Sequence, residues 1–452
     1  MECAYKLQYR PVSRPLLGQR SGWKHPLDGV FLGFFIMRSK LHQFALKFAV
    51  LCGAILMVLL VAEAALAVLR INTKADVRFV PDKGITFVPN AYYRNFQEGY
   101  SEGHFNSHGF RDYDRTYEKP KGTFRILVLG DSYVEALQVS LDRSFTAMLQ
   151  KRLNVQSPTE KVEVLAMGRN GSGTAEEYMR YNNFGVEYSP DLVVVAFLTG
   201  NDFLDNSRYL SPGNHEYYFY FDNNGKLALD DTVIANYQKS LTLPKRAFQT
   251  LKQHSYLASL ISEQIYLMKE RFRLDRYKKT QSSEKTAAVE KLDGFSTLNI
   301  YVPNPDAHWQ EAYDVTKAGL LKFRETVEQH DSKFMLLSLS NAEQVHPEMQ
   351  KALRDTFPVE FDFSRPDRMM AEFAQNNHML HLELMPAFLE YHLKTGVYLH
   401  GFGPTHGGHW NQSGHCLAAE NIAAYLREQK LIPSANSGQG SQPLPGYTQP
   451  KC

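Results

Sequence analysis

The residue best placed to do chemistry in this chain is Ser132, in the stretch Phe124 to Ala136, FRILVLGDSYVEA. Ile126 to Leu129 is a short apolar, partly β-branched run, the pattern of a buried parallel strand, and it stops abruptly at Gly130-Asp131-Ser132. A serine at the carboxyl end of such a strand lies where open α/β sheets bind ligands. Its hydroxyl becomes a nucleophile when a base is within reach. Taken alone, Gly-Asp-Ser reads more simply as the closing of a tight turn, so the base and any hydrogen-bond donors must come from elsewhere.

Three later stretches supply them. Gly171 stands in RNGSGTAEEY, Gly200-Asn201-Asp202 follows the run Asp191 to Leu198, and His409 stands in GGHWNQSGH. Ser, Gly, Asn and His blocks in this order resemble the SGNH (GDSL-type) hydrolase family, over about Asn106 to Leu431 with a long insert. Asn106 to Asp112 (NSHGFRD) is similar to the NSxGFRD segment of membrane-linked members; its polar residues either line the cleft or serve turn chemistry. The serine motif is not Gly-x-Ser-x-Gly, so the α/β-hydrolase elbow is a poor fit.

The resemblance implies a three-layer α/β/α sandwich with a central parallel sheet, and a serine hydrolase acting on ester bonds without a cofactor. It implies that Ser132 attacks while His409 takes its proton and returns it to the leaving alcohol. The backbone N–H groups of Ser132 and Gly171, with the Asn201 side-chain amide, would form the oxyanion hole. Asp131 and Asp202 are expected to make structural hydrogen bonds around the cleft. One position departs from the pattern. Family members usually carry an Asp two or three residues before the histidine, and here those positions are Gly407 and His406. Glu383, His406 or a backbone carbonyl is left to orient His409. His400, His406, His409 and His415 also invite a metal reading. Their neighbours are glycines and Trp410 rather than carboxylates, and no metal is expected.

For these blocks to meet, several strands must end at one level. Val162 to Ala166 reads as the second strand, feeding a loop with Gly168, Gly171 and Gly173. Leu192 to Leu198 is wholly apolar and should be a central third strand covered on both faces. Phe334 to Leu339 reads as the fourth, and Met379 to Leu384, with Glu383 on it, as the fifth. Helical sequence resumes near Ser144, at Trp309 to Gln329, Pro347 to Arg354, Pro366 to Asn376 and His415 to Gln429. Between Asp205 and about Asp306 the rhythm breaks. Tyr217 to Asp230 predicts a hairpin turning at Asn224-Gly225, Ala258 to Arg273 a helix, and Lys278 to Glu290 a mobile loop. The insert reads either as a lid beside the site or as a surface decoration.

A chain of 452 residues, 43% hydrophobic, can bury a sizeable core, and a net charge of +2 gives no electrostatic case for nucleic acid. Phe48 to Leu69 is apolar apart from Gly53 and Glu63, long enough for one membrane span. Eight Lys or Arg residues precede it, which places the N-terminus in the cytoplasm and everything after Arg70 outside. A cleaved signal peptide is the rival reading. Met37 reads as a natural start, with the first 36 residues an upstream extension. The expected organisation is thus a disordered cytoplasmic segment (1–43), a transmembrane helix (44–70), a lead-in (71–122), the hydrolase-like domain (123–433, insert about 205–306) and a disordered tail (434–452). Of the four cysteines, Cys416 is expected to pack as a small apolar residue on a helix, pairing with Cys452 being the alternative. The function that follows is a single-pass esterase of the inner membrane, its catalytic domain periplasmic or extracellular. Its expected substrate is an ester or an acylated carbohydrate, O-acetyl groups on an envelope or exported polysaccharide included. An O-acyltransferase using the same Ser/His site, or a non-catalytic carbohydrate-binding or assembly protein, is the alternative.

Overall fold

The computed structural model describes residues 26–69, 73–74, 76–81, 83–156, 161–282, 296–404 and 407–432. The expected tail, most of the expected loop at Lys278 to Glu290, and His406 lie outside these residues. Two units divide the chain, near residue 68. The first contains one helix, Pro26–Leu69. It starts well before the expected boundary at 44, with Pro26 in the first turn where its missing N–H costs nothing. Its segment Lys40–Leu69 is 30 residues long, and its apolar window is unburied. At about 1.5 Å per residue it spans roughly 45 Å, enough to cross a membrane.

The second unit is built on five parallel strands: β1 (Thr123–Gly130), β2 (Lys161–Gly168), β3 (Leu192–Leu198), β4 (Lys333–Leu339) and β5 (Leu380–Glu383). All seven residues of β3 are buried, as its unbroken apolar sequence predicts. The order across the sheet is β2-β1-β3-β4-β5. After β2 the chain crosses back to the other side of β1, so a crevice opens beyond the carboxyl ends of β1 and β3. Side chains alternate between two cores, as the two-residue strand period requires. Ile126, Val128, Val194 and Ala196 face helices α1 (Phe145–Gln156), α5 (Met385–Thr395) and α6 (Gln412–Glu428). Leu127, Leu129, Val193 and Val195 face α2 (Thr174–Asn183), α3 (Ala307–Gln329) and α4 (Arg365–Asn376). The architecture is therefore the expected α/β/α sandwich.

The lead-in is more structured than its polar sequence foretold. It folds as two antiparallel hairpins, Val77–Val80 with Gly84–Phe87 and Tyr92–Asn95 with Ser101–His104. Phe105 stacks on Phe87 at 4.2 Å between ring centres and packs against Tyr93. Buried Arg111 ties the second hairpin to the segment that follows β1: it donates to the Tyr93 hydroxyl (2.9 Å) and to the carbonyls of Glu135 (2.8 Å) and Val139 (2.5 Å). Asn106 serves turn chemistry, its Oδ1 accepting from the His108 and Phe110 N–H groups. The insert contains the expected hairpin, Tyr218–Phe221 with Leu227–Asp230, and Phe219 packs on Tyr178 of α2. Cys416, expected as a small apolar residue, is instead disulfide-bonded.

Candidate active site

β1 ends at Gly130, and the chain turns into a short helix, Ser132–Glu135, capped by the Asp131 carboxylate accepting from the Tyr133 N–H at 2.9 Å. Gly130 has no room for a side chain, since a Cβ there would lie 2.4 Å from Val134 Cγ2. This turn sets Ser132 at the crevice mouth. His409 arrives on the loop before α6. That loop is held by a bridge between His400 and Trp410 and by Asn411, whose Oδ1 caps α6 at Ser413 and Gly414. His409 Nε2 lies 2.8 Å from Ser132 Oγ. The Tyr133 ring lies 5.0 Å from the imidazole and is itself held edge-on against buried Trp410, 5.1 Å away.

The acid that completes this arrangement is Glu98, which the sequence reading missed. It sits in the turn of the second lead-in hairpin. One carboxylate oxygen lies 2.6 Å from His409 Nδ1, and the other accepts from the His409 backbone N–H at 2.7 Å. A carboxylate can only accept here, so Nδ1 carries the proton and Nε2 presents its lone pair to the serine hydroxyl. Two glycines make the approach possible. Gly99 (φ +67°) lets the hairpin tip lie against the Gln138 carbonyl, where a Cβ would come within 2.2 Å. At Gly408 (φ +95°) a Cβ would lie 2.1 Å from Glu98 Oε1. The Glu98-Gly99 turn was the available signal, but nothing in it pointed across 311 residues to His409.

Glu383 is corrected accordingly. It lies on edge strand β5, three strand spacings from β1 in the sheet order, or roughly 14 Å across the ladder. Its carboxyl is half-buried and pushed up by that burial.

The Gly block loop leaves β2 beside the serine helix. Glu135, on that helix, accepts from the Asn170 N–H at 2.6 Å, and burial pushes its carboxyl up to about 7. Gly171 follows at φ +66°. Asn201 follows β3, its amide donating to Asp205 at 2.9 Å beside the Asp131 carboxyl. Asp205 in turn contacts His215 (3.2 Å), which also reaches Glu176 (3.1 Å). Between these carboxylates His215 rises to about 9 despite its burial, so it is an imidazolium. Arg169, beside the Gly block, pairs with the same Glu176 at 3.1 Å. The Gly and Asn blocks thus share one buried ionic network. Asp131 and Asp202 play structural parts: Asp202 accepts from the Leu198 N–H at 2.7 Å, and burial pushes Asp131 to about 6 and Asp202 well above the carboxylate range.

Among the described residues, the other two histidines of the metal reading, His400 and His415, are bonded elsewhere than to His409. His400 is buried and bonded to the Ser340 carbonyl (3.1 Å), and His415 accepts from the Phe145 N–H (3.3 Å); burial lowers each to about 3.

No family model matches this chain, and no curated protein matches its sequence. Solved structures do align with it. An acetyl xylan esterase is 13% identical, with 67% of this chain and 98% of that one covered and a TM-score of 0.34. A catalytic mutant of an acetylxylan esterase from Geobacillus stearothermophilus is 14% identical, with 68% and 93% covered and a TM-score of 0.33. A two-domain esterase active on acetylated mannans is 9% identical, with 70% and 51% covered and a TM-score of 0.34. Likenesses this weak carry no chemistry over, and the site has to be read from this chain's own side chains. The order of its Ser, Gly, Asn and His blocks resembles that of the SGNH hydrolases, and its five-stranded parallel sheet with helices on both faces is an α/β/α fold.

Proposed function

We propose that this chain is a membrane-anchored serine esterase, with O-acyl groups on an envelope or exported polysaccharide as its substrate class. The observation that carries the reading is the unbroken hydrogen-bonded series Glu98–His409–Ser132. In this reading Ser132 attacks the ester carbonyl as its proton passes to His409 Nε2. Glu98 holds the ring and stabilises the imidazolium that forms. The oxyanion is held by the N–H groups of Ser132 and Gly171 and by the Asn201 amide, one of whose two N–H bonds is committed to Asp205. Collapse of the tetrahedral intermediate expels the alcohol, which takes the proton from His409. Water, activated by the same imidazole, then releases the acid. The Lys/Arg excess ahead of the apolar helix supports an anchor with the catalytic unit on the outer side of the inner membrane.

The non-catalytic alternative drew its support from the large insert and from the missing acid before His409. Glu98 lies where such an acid would act, which weighs for the enzyme reading. The test is acetate release from acetylated xylo- and manno-oligosaccharides and from an aryl acetate by the full chain in detergent. Turnover lost in both Ser132→Ala and His409→Ala is the expected result. Acetyl transfer to an added sugar without net hydrolysis would make the protein an acyltransferase instead, and no turnover of either kind would overturn the enzyme reading.

A further inference from the structure

Outside the catalytic relay, three side chains from two helices converge: His346 and Glu348, at the start of helix Pro347–Thr356, and His392, near the end of α5. One ligating atom from each lies within 4.8 Å of the other two. The hydrogen bonds around the two imidazoles determine where their protons sit. The Ser340 carbonyl can only accept, so His400 Nε2, 3.1 Å away, carries the proton and His400 Nδ1 is an acceptor. His346 Nε2, 3.3 Å from that acceptor, must then be the donor, which puts a lone pair on His346 Nδ1. Independently, the Val397 carbonyl accepts from His392 Nδ1 at 3.0 Å, which puts a lone pair on His392 Nε2. Each of the two histidines therefore has one nitrogen backed by an acceptor and the other unprotonated, the arrangement found in metal-ligating histidines. His346 is fully buried and His392 is 9% exposed, while Glu348 faces solvent and leaves a route of entry.

We infer that His346, Glu348 and His392 form a binding site for a divalent transition ion. Two imidazole nitrogens and one carboxylate oxygen suit Zn²⁺ and its close analogues rather than Mg²⁺ or Ca²⁺. The ion would be structural. His346 reaches His400, which shares Ser340 with the indole N–H of Trp410 (3.2 Å), and Trp410 adjoins His409. A metal there ties helix Pro347–Thr356 and α5 to the loop that delivers the catalytic histidine.

The test does not depend on esterase activity. Full-length protein in detergent is stripped with EDTA and titrated with Co²⁺ while its visible d–d absorption is followed. The expected result is one saturable Co²⁺ per chain, displaced by Zn²⁺, with affinity about tenfold or more weaker in Glu348→Gln and His392→Gln and unchanged in Ser132→Ala. Because Glu348 is exposed, its variant stays folded and keeps the comparison valid if His392→Gln does not. A folded wild-type protein that develops no Co²⁺ spectrum, or Co²⁺ affinity unchanged in Glu348→Gln, would overturn the site.

Discussion

Replacing Glu98 by Gln keeps the size of the side chain and one of its hydrogen bonds, yet it should remove most of the activity. The reason lies in the two contacts that Glu98 makes with one residue, 2.6 Å to His409 Nδ1 and 2.7 Å to the His409 N–H. A carboxylate accepts both. An amide has only one oxygen, so two poses are open. With the oxygen on the backbone N–H, the NH₂ faces Nδ1, moves the ring proton to Nε2 and leaves no lone pair for the serine proton. With the oxygen on Nδ1, the NH₂ opposes the backbone N–H, a donor–donor contact costing about 1–3 kcal/mol. In both poses the negative charge opposite the imidazolium is gone. A wrong-tautomer change of this kind in a Ser-His-Asp site lowers kcat by about 10⁴. We therefore expect a loss of about 10³–10⁴ in kcat, roughly 4–5.5 kcal/mol of barrier, with little change in KM because Glu98 does not touch substrate. Glu98 is about a third exposed, so its contribution to global stability is expected to be small, about 1 kcal/mol or less. Aryl acetate kinetics on full-length wild type, Glu98→Gln and Glu98→Asp, with circular dichroism to confirm folding, provide the assay. The shortened Asp should fall between the other two. A folded Glu98→Gln protein within about tenfold of wild type would refute the assignment.

Three further outcomes follow from the same geometry. Gly408→Ala places a Cβ 2.1 Å from Glu98 Oε1, so its kcat should fall toward that of Glu98→Gln, and unchanged kinetics would mean that the carboxylate does not need this approach. Asn201→Ala removes a proposed oxyanion donor and should lower kcat by about 10²–10³, measured on the same ester; a loss below about threefold would take Asn201 out of the hole. Burial raises Glu135 from 4.5 to about 7, so the neutral form is the one the fold favours. Its stabilisation is complete below the unfolded pKa and is lost as pH rises through about 7. Glu135→Gln cannot ionise, so urea denaturation should show its stability gaining on wild type by about 3 kcal/mol between pH 4.5 and pH 8, and a flat difference would contradict the burial argument.

Four of the five strands were legible because each is a largely buried apolar run closed by Gly or a small polar residue: β3, LVVVAFL, is buried throughout and spans the residues expected, whereas β5 is only partly buried and ends in Glu383. Ser132 and His409 were legible because their blocks come in a recognisable order. Glu98 was not, for a physical reason. The hairpin that carries it, Tyr92–Asn95 with Ser101–His104, has no apolar alternation to mark it as sheet. Its stability comes from contacts distant in sequence, including Arg111 on Tyr93 and Ser101 Oγ on the Leu137 carbonyl. The missing acid near His409 was sought on the sheet because other side chains of the site come from there, whereas the fold supplies it from a segment that precedes the sheet altogether. Histidine spacing along the chain was an equally poor guide to which rings meet. His400 and His409 are close in sequence but serve different networks, while His346 and His392 converge only through tertiary packing.

The central claim is that Ser132 is a nucleophile activated through His409 and Glu98. Its most direct test is reaction of the full-length protein with a fluorophosphonate probe, followed by mass spectrometry of the peptide containing Ser132. The account predicts one covalent adduct on Ser132, absent in Ser132→Ala and formed far more slowly in His409→Ala and Glu98→Gln. An unlabelled Ser132 in folded wild-type protein, or labelling at the same rate in the His409 and Glu98 variants, would contradict it.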